Sequence, residues 1–177
     1  ERLARMIADM LFLAKADNGL IVPSSEMVDL GTEARELFGF YEAFAEEQGV
    51  SLVLAGAGVV RGDRLMIRRA LSNLLSNAIR HTPRGGSVKV LVDRRKSGET
   101  QLSVENPGED IEPEHIPRLF DRFYRVDRSR QKASEGAGLG LAITKSIVEA
   151  HKATIQIYSS NGSTRFDITF PADGAGL

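Results

Sequence analysis

Residues 72–81 read SNLLSNAIRH and combine an apolar helical face with two asparagines spaced four residues apart. Asn73 and Asn77 therefore share one face of a helix, with Arg80 one turn further on and His81 beside it. The side chains predicted to be buried are Leu74, Leu75, Ala78 and Ile79. Asparagine is unfavourable inside a helix, so two on one face need a reason. Either they face solvent, or their amide oxygens hold a hard cation such as Mg²⁺ together with substrate phosphates, which Arg80 would then face.

The segments around this helix predict further helices and antiparallel hairpins. Asp63 is the expected N-cap of the helix, which ends near His81. Strands are expected at 26–30, 50–54, 59–61, 87–93, 101–105, 154–159 and 164–170, and further helices at 32–48 and 138–150. The strands at 87–93 and 101–105 form one hairpin, and the last two strands form another, turned by Asn161-Gly162. This order is typical of an α+β sandwich, in which one mixed sheet carries helices on one face.

The composition is that of a globular protein with nearly balanced charge. The chain has 177 residues, with 23 basic and 24 acidic side chains and a formal net charge of −1. We therefore expect no overall attraction to nucleic acid or to acidic membranes. Cysteine is absent, which excludes disulfides, thiolate metal sites and a cysteine nucleophile. The histidines His81, His115 and His151 are too dispersed for a histidine-rich metal centre, and no apolar run approaches the ~20 residues of a membrane span.

The first segment, residues 1–17, has the apolar spacing of an amphipathic helix. Leu3, Ile7, Met10 and Ala14 follow a four-three-four pattern, and further apolar residues widen this stripe. No N-cap residue precedes the segment, so we expect the helix to begin upstream of Glu1. The helix could pack on its own domain, but so wide a stripe favours an intermolecular helical bundle.

Residues 105–108 read ENPG and directly follow a predicted strand. The side chain of Asn106 could accept a hydrogen bond from the exocyclic amine of a base and donate another. Gly108 would let a planar ring approach the backbone closely. A simple turn without a ligand is the alternative for this tetrapeptide.

Residues 136–141 read GAGLGL and open a predicted helix. Glycines at a helix start expose backbone N–H groups to an anion, and the helix dipole adds to the attraction. A polar loop rather than a strand precedes them, which excludes a Rossmann fingerprint, and no Gly-Lys-[Ser/Thr] follows, which excludes a P-loop. A flexible hinge without a ligand is the alternative.

The polar loop before these glycines, residues 120–132, reads FDRFYRVDRSRQK and carries a local charge of +4 over residues 122–132. Interleaved arginines and aromatic residues could bind single-stranded nucleic acid. The near-neutral charge of the whole chain argues against that interpretation and favours a charged lid over a polyphosphate. A solvated basic loop is the third possibility.

In this order the motifs resemble the N, G1, F and G2 boxes of sensor histidine kinases, and residues 162–166 (GSTRF) resemble the closing element of that family. The sequences of residues 1–18 and of the basic loop look most like those of the copper-, silver- and heavy-metal-responsive kinases. The resemblance implies a Bergerat-type sandwich that binds ATP and Mg²⁺. It places the nucleotide against Asn73, Asn77, Arg80, His81, Asn106, Gly108, Ile111, Tyr124, Gly136, Gly138, Leu139, Gly140, Leu141 and Thr164.

The resemblance also implies roles within this set. Asn77 takes the position of the Mg²⁺ ligand with Asn73 beside it, and Arg80 and Arg130 steady the γ-phosphate. Gly136, Gly138 and Gly140 would form a lid hinge and a phosphate-facing turn. Two positions depart from the family, because Asn106 stands where an aspartate usually accepts the adenine amine, and Asp110 stands where a second glycine is common. An uncharged acceptor at 106 is expected to weaken adenine binding.

The resemblance implies two domains of very different length. Residues 1–19 look like the second helix of a dimerisation and phosphoacceptor domain, and residues 20–177 look like the catalytic domain. None of the three histidines has the phosphoacceptor setting, so the acceptor is expected on another segment. The implied partners are that domain, as a homodimer, and a response regulator, with no nucleic acid and no membrane contact by these residues. The family places such a domain in the cytoplasm and the full-length protein in the bacterial inner membrane.

Two other functions stay open at this point. Related ATP hydrolases of the chaperone, gyrase and mismatch-repair type place a glutamate at the position of Asn73 as a general base. An asparagine there is a poor general base for water and favours transfer of the phosphoryl group to a separate nucleophile. The other possibility is a non-catalytic module, either a nucleotide sensor or a nucleic-acid binder that uses the basic loop. Residues 1–18 are expected to contribute docking and no nucleotide contacts, so that their removal leaves ATP affinity unchanged.

Overall fold

The computed structural model describes residues 2–126 and 137–172, and their helices and strands follow the predicted order. The helices are α1 (Arg2–Asp17), α2 (Leu30–Gln48), α3 (Arg64–His81) and α4 (Gly140–Ala150), with one short 3-10 helix at Ile116–Arg118. The strands are β1 (Glu26–Asp29), β2 (Ser51–Gly56), β3 (Val59–Gly62), β4 (Ser87–Arg94), β5 (Thr100–Pro107), β6 (Thr154–Ser160) and β7 (Ser163–Phe170).

Five strands form the predicted mixed sheet, in the order β2-β4-β5-β7-β6. The β2–β4 pair is parallel and the other pairs are antiparallel, with Asn106 on β5 opposite Thr164 on β7. The prediction of a single sheet is incomplete, because β1 and β3 pair separately as a two-stranded antiparallel sheet. Gly56 ends β2 at a φ of 80°, where a Cβ would lie 1.9 Å from the carbonyl oxygen of Val92. This turn takes the chain out of the main sheet before β3 begins.

The main core lies between one face of the five-stranded sheet and the helices above it. The fully buried side chains include Leu71, Leu75 and Ile79 of α3, Val88 and Val90 of β4, Leu102 of β5 and Ile168 of β7. The strands alternate buried and less buried residues, as expected for a sheet that is covered on one face. The predicted layering of helices on one face is therefore confirmed.

Helices α3 and α4 pack antiparallel and are joined near both ends. At one end the ring of His151 accepts a hydrogen bond at Nε2 from the backbone N–H of Asp63 (3.0 Å) and donates from Nδ1 to Ile147 (2.7 Å). At the other end Asn73 donates from Nδ2 to the carbonyl of Gly140 (3.1 Å). The helix predicted from 138 begins two residues later, because Gly138 takes a φ of 74° that a helix cannot contain.

Helix α1 packs on α4 through one of its faces. Leu13 is 2% exposed and lies in a second core cluster with Leu139, Ala142 and Ile143. The stripe predicted from the four-three-four spacing points elsewhere: Leu3, Ile7, Met10 and Ala14 are all exposed. Within residues 2–126 and 137–172, no helix has both the length and the apolar character needed to cross a membrane.

Asp63 is the N-cap of α3, as predicted. Its carboxylate accepts hydrogen bonds from the backbone N–H groups of Met66 (3.0 Å) and Ser24 (3.1 Å). Burial acts to raise the pKa of Asp63, but these hydrogen bonds outweigh it, with a smaller contribution from His151, and the net pKa lies below the usual value. The folded state therefore binds the proton less readily than the unfolded chain.

Replacing Asp63 with alanine should lower the free energy of unfolding by about 1 kcal/mol at pH 7, because two backbone donors lose their acceptor. Since the folded pKa is lowered, the stabilisation is present above an unfolded pKa of about 3.9 and is lost as the pH falls through the folded pKa. An asparagine at this position would cap the helix without a charge, so the stability difference between wild type and Asp63→Asn should shrink over that acidic range. Urea titrations from pH 2.5 to 7 measure both effects, with a variant of an exposed carboxylate, Asp93→Ala, as control. Equal stability of Asp63→Ala and wild type at pH 7 would contradict the cap.

Candidate functional site

The site lies where α3 runs past the start of α4. Because the helices are antiparallel and Asn73 contacts Gly140, the last two turns of α3 extend beyond the first turn of α4. These two turns carry Asn77, Arg80 and His81 beside the space in front of the α4 N-terminus. The turn after β5 closes the same region, since a Cβ on Gly108 would lie 3.0 Å from the carbonyl oxygen of His81.

The two asparagines of α3 are in different environments although they share a helix face. The side-chain amide of Asn73 is hydrogen-bonded within the protein, because its Nδ2 donates to the carbonyl of Gly140 and also lies 3.5 Å from the hydroxyl of Thr144. Asn77 is half-buried, and no side-chain hydrogen bond to it is found within the described part of the chain. A half-buried amide without a protein partner can offer its oxygen to a hard cation or to a ligand.

The start of α4 has the features of an anion-binding helix terminus. Leu139 precedes the helix and its side chain does not cap it, so among the described residues no N-cap side chain uses the first-turn N–H groups, which can bind an anion. Gly138 is required at its position, because a Cβ there would lie 3.0 Å from Cα of Phe123. The side chain of Leu139 is 1% exposed in the core, and that of Leu141 packs on the main core. Leu139 can therefore offer a ligand only backbone groups, whereas the side chain of Leu141 is partly exposed.

At the end of α3, the guanidinium of Arg80 does not lie where the sequence predicts it. Arg80 is exposed, and its guanidinium lies 6.0 Å from the ring centroid of Phe44 on α2. The guanidinium is thus directed toward α2, and the predicted contact with phosphates would require it to turn away. His81 is exposed and is the last residue of α3.

The last residues of β5 orient the amide of Asn106. This residue is 5% exposed, and its Nδ2 donates to the carbonyl of Pro107 at 2.9 Å. No hydrogen bond to its Oδ1 is found among residues 2–126 and 137–172. The amide therefore presents an acceptor, which is the role predicted for it toward an exocyclic amine. Its neighbour across the sheet, Thr164, is 7% exposed and shares a hydrogen bond of 2.8 Å with Ser159.

A second set of contacts, in the turn after β5, was not predicted from the sequence. Asp110 accepts a hydrogen bond from the backbone N–H of Gly162 (2.8 Å), and Ile111 donates its backbone N–H to Ser159 (2.8 Å). Both bonds join the turn after β5 to the β6–β7 hairpin. The departure at Asp110 thus has a structural role, since a glycine there would have no carboxylate to bind the hairpin. The sequence shows only an aspartate near a glycine-containing turn, and this does not identify Gly162 as the partner of Asp110.

Tyr124 lies in a cluster on the segment before residue 127. Its hydroxyl is 2.5 Å from Nδ1 of His115, and the guanidinium of Arg118 stacks over its ring at 4.4 Å. The predicted binding residue is thus anchored by its hydroxyl to the protein. Two other predicted residues, Arg130 and Gly136, lie outside the described residues.

The geometry fits Mg²⁺ held together with a nucleotide better than a protein cage for a metal. Within the described residues, no group of three or more His, Cys, Asp or Glu side chains could hold an ion. Mg²⁺ keeps most of its waters and commonly takes only one or two protein ligands plus substrate phosphates. A single amide oxygen at Asn77 is sufficient for that mode of binding.

Comparisons with known proteins agree with this geometry. Residues 62–174 match the family described as histidine kinase-, DNA gyrase B- and HSP90-like ATPases. The chain is 55% identical over 175 residues to the sensor histidine kinase CusS of Escherichia coli K12, covering 97% of this chain and 36% of that protein. It is 47% identical over 175 residues to the probable sensor kinase SilS of Salmonella typhimurium, covering 96% and 35%. The chain thus spans about a third of the length of these relatives.

Solved structures show the same fold at lower sequence identity. The Acinetobacter baumannii histidine kinase AdeS superposes with a TM-score of 0.82 at 24% identity, over 97% of this chain and 79% of that chain. Full-length ShkA, solved in complex with AMPPNP, gives 0.83 at 24% identity, over 96% and 35%. The predicted Bergerat-type sandwich is therefore confirmed. The chain belongs to the family of histidine kinase-, DNA gyrase B- and HSP90-like ATPases, and it carries the ATP-binding catalytic domain of a sensor histidine kinase.

Proposed function

We propose that this domain transfers the γ-phosphoryl group of ATP to a histidine on another segment of its kinase, for relay to a response regulator. The observation that carries the proposal is the pairing of a protein-bound Asn73 with a half-buried Asn77 that has no hydrogen-bond partner among the described residues, beside the uncapped start of α4. ATP with Mg²⁺ supplies the phosphoryl group and neutralises part of its charge. The protein acts by positioning and by charge stabilisation.

Each part of the site has a distinct task in this proposal. The Oδ1 of Asn77 holds Mg²⁺, and the first-turn N–H groups of α4 face the phosphates. The Oδ1 of Asn106 accepts a hydrogen bond from the adenine amine, because its Nδ2 is already used by Pro107. Asn73 keeps α4 in place and provides no carboxylate to activate water, which favours transfer over hydrolysis. Arg130, by resemblance to the family, steadies the γ-phosphate.

The relatives and helix α1 support the proposed partners, which are the dimerisation and phosphoacceptor domain and a response regulator. We assign residues 1–19 to a dimerisation and phosphoacceptor domain and residues 20–177 to the catalytic domain. The exposed stripe of Leu3, Ile7, Met10 and Ala14 has the spacing that a helical bundle buries. The names CusS and SilS belong to sensor kinases, and we propose a metal-responsive sensor in the bacterial inner membrane with this domain in the cytoplasm.

Replacing Asn77 with alanine should remove the gain in affinity that Mg²⁺ gives to ATP-analogue binding. Asn73→Ala is the matched control on the same helix face. It loses the hydrogen bond to Gly140, worth about 0.5–1.5 kcal/mol, and should weaken binding by a similar factor with and without Mg²⁺. Calorimetric titration of AMPPNP with and without Mg²⁺ separates the two cases. Equal Mg²⁺ dependence in wild type and Asn77→Ala would contradict the metal assignment.

Asn106 should make the site prefer ATP over GTP, because its oxygen accepts from the adenine amine and would meet the carbonyl of guanine. One such hydrogen bond is worth about 0.5–1.5 kcal/mol, which corresponds to a preference of roughly two- to twelvefold. Asn106→Ala should abolish the preference. Competition binding with the two nucleotides measures this preference. Equal affinities in the wild-type chain would contradict this role.

This chain alone should bind ATP without becoming stably phosphorylated. Both ring nitrogens of His151 are in use, Nε2 by the backbone N–H of Asp63 and Nδ1 by the carbonyl of Ile147 on α4, and His115 is bonded to Tyr124. His81 is held on α3 beside the nucleotide, where its backbone cannot reach the far side of the γ-phosphate.

The assay is incorporation from γ-labelled ATP that is stable to base and labile to acid. A polypeptide that carries the phosphoacceptor helix of the same kinase should become labelled when it is mixed with this chain. Strong labelling of the 177-residue chain by itself would contradict the assignment of the acceptor to another segment.

A further inference from the structure

Helix α1 contacts both sides of a backbone bridge next to the nucleotide site. The bridge is the hydrogen bond from the N–H of Phe123 to the carbonyl of Gly138 (2.9 Å). Arg122, directly before it, donates from Nη2 to both carboxylate oxygens of Asp17 on α1 at 2.6 Å. Directly after the bridge, Leu139 is buried in one cluster with Leu13 of α1.

The bridge leaves little freedom between its two residues. Phe123 has a φ of 61°, a conformation that is uncommon for a side chain other than glycine, and Gly138 has a φ of 74°. A Cβ on Gly138 would lie 3.0–3.3 Å from backbone atoms of Phe123 and Tyr124. Two backbones this close must move together, and the second of them leads within two residues into the first turn of α4.

We propose that α1 is a positioning element of the nucleotide site, in which Asp17 and Leu13 hold the Phe123–Gly138 bridge and the first turn of α4 in the geometry that binds phosphates. The inference rests on the proposed function, because it takes the start of α4 as the phosphate site. A site that is held in its binding geometry loses less entropy when the ligand binds. Docking of α1 and nucleotide binding therefore strengthen each other, and the coupling is reciprocal.

This inference replaces the expectation that α1 affects docking alone. Asp17 bonds to Arg122, which is not assigned to the nucleotide, and Leu13 shares a buried cluster with Leu139, whose side chain lies in the core. These contacts end one residue from each side of the bridge. A displacement of α1 is then transmitted to the phosphate end of the site through Arg122 and Leu139. Asp17 and Leu13 are positioning residues.

The second ion pair of α1 provides a matched control. Asp9 accepts from Nη2 of Arg69 at 2.5 Å, and the guanidinium of Arg69 lies 4.6 Å from the ring centroid of Phe12. This pair also attaches α1 to the domain, but it leads to the middle of α3 and not to the Phe123–Gly138 bridge. Reversing the charge at Asp9 therefore removes one contact of α1 with α3 and leaves the contacts of Asp17 and Leu13 beside the bridge in place.

The first test is calorimetric titration of Mg²⁺-AMPPNP at low salt into the wild type and four variants. Asp17→Arg and Arg122→Asp, which put like charges together, should each weaken binding about two- to fivefold, the scale of an exposed ion pair. The double variant Asp17→Arg/Arg122→Asp should restore the affinity, and Asp9→Arg should leave it near the wild-type value. The differences should shrink at high salt, because both side chains of the Asp17–Arg122 pair are solvent-exposed.

The second test measures the coupling from the other end. Mg²⁺-AMPPNP should slow amide hydrogen exchange in residues 10–17 of the wild type and of Asp9→Arg, and should do so much less in Asp17→Arg. Absence of AMPPNP binding by the wild type would contradict the proposed function and, with it, this inference. Binding by the wild type that Asp17→Arg leaves unchanged would overturn this inference alone. So would a loss in Asp17→Arg that the double variant does not restore.

Discussion

The hydrogen bond from the Asn73 amide to the carbonyl of Gly140 joins the two helices on which the site depends. It fixes where α4 begins along α3, and His151 fixes the other end by accepting from the N–H of Asp63. With both ends held, the last two turns of α3 must lie beside the start of α4. That offset brings one amide without a protein partner among the described residues, Asn77, next to backbone N–H groups without a side-chain cap.

The offset also explains why two asparagines occur where helix propensity disfavours them. Each asparagine costs a few tenths of a kcal/mol in helix propensity relative to alanine, about the amount that one good hydrogen bond returns. Asn73 recovers this cost inside the protein, through Gly140 and Thr144. In the proposed function, Asn77 recovers it when the metal and nucleotide bind, whereas Asn73 on the same face has a structural role.

The fold followed from the sequence where the signals were local, as with the Asp63 cap and the Asn161-Gly162 hairpin. The pairing of β1 with β3 was missed because alternation identifies a strand and not its partner. Within the site, Asn106 was predicted to be an acceptor from the chemistry of its amide, and the structure leaves its oxygen as the acceptor. Its predicted position after a strand was wrong, because it lies within β5. Leu139 was assigned to the nucleotide because it lies inside the glycine motif at 136–141, whereas its side chain is buried in the core. The roles of His151, Asp110 and Asp17 depend on contacts over long sequence distances, which a single sequence does not reveal.

The central claim, that Asn77 is the protein ligand of a metal-nucleotide complex, can be tested directly by nuclear magnetic resonance. Mn²⁺ replaces Mg²⁺ in a complex with AMPPNP, and its unpaired electrons broaden nearby resonances steeply with decreasing distance. The account predicts that the side-chain amide signals of Asn77 broaden most, and those of Asn73, one turn away and bonded to Gly140, broaden less. An Asn77 signal that broadens no more than that of Asn73 would contradict the account.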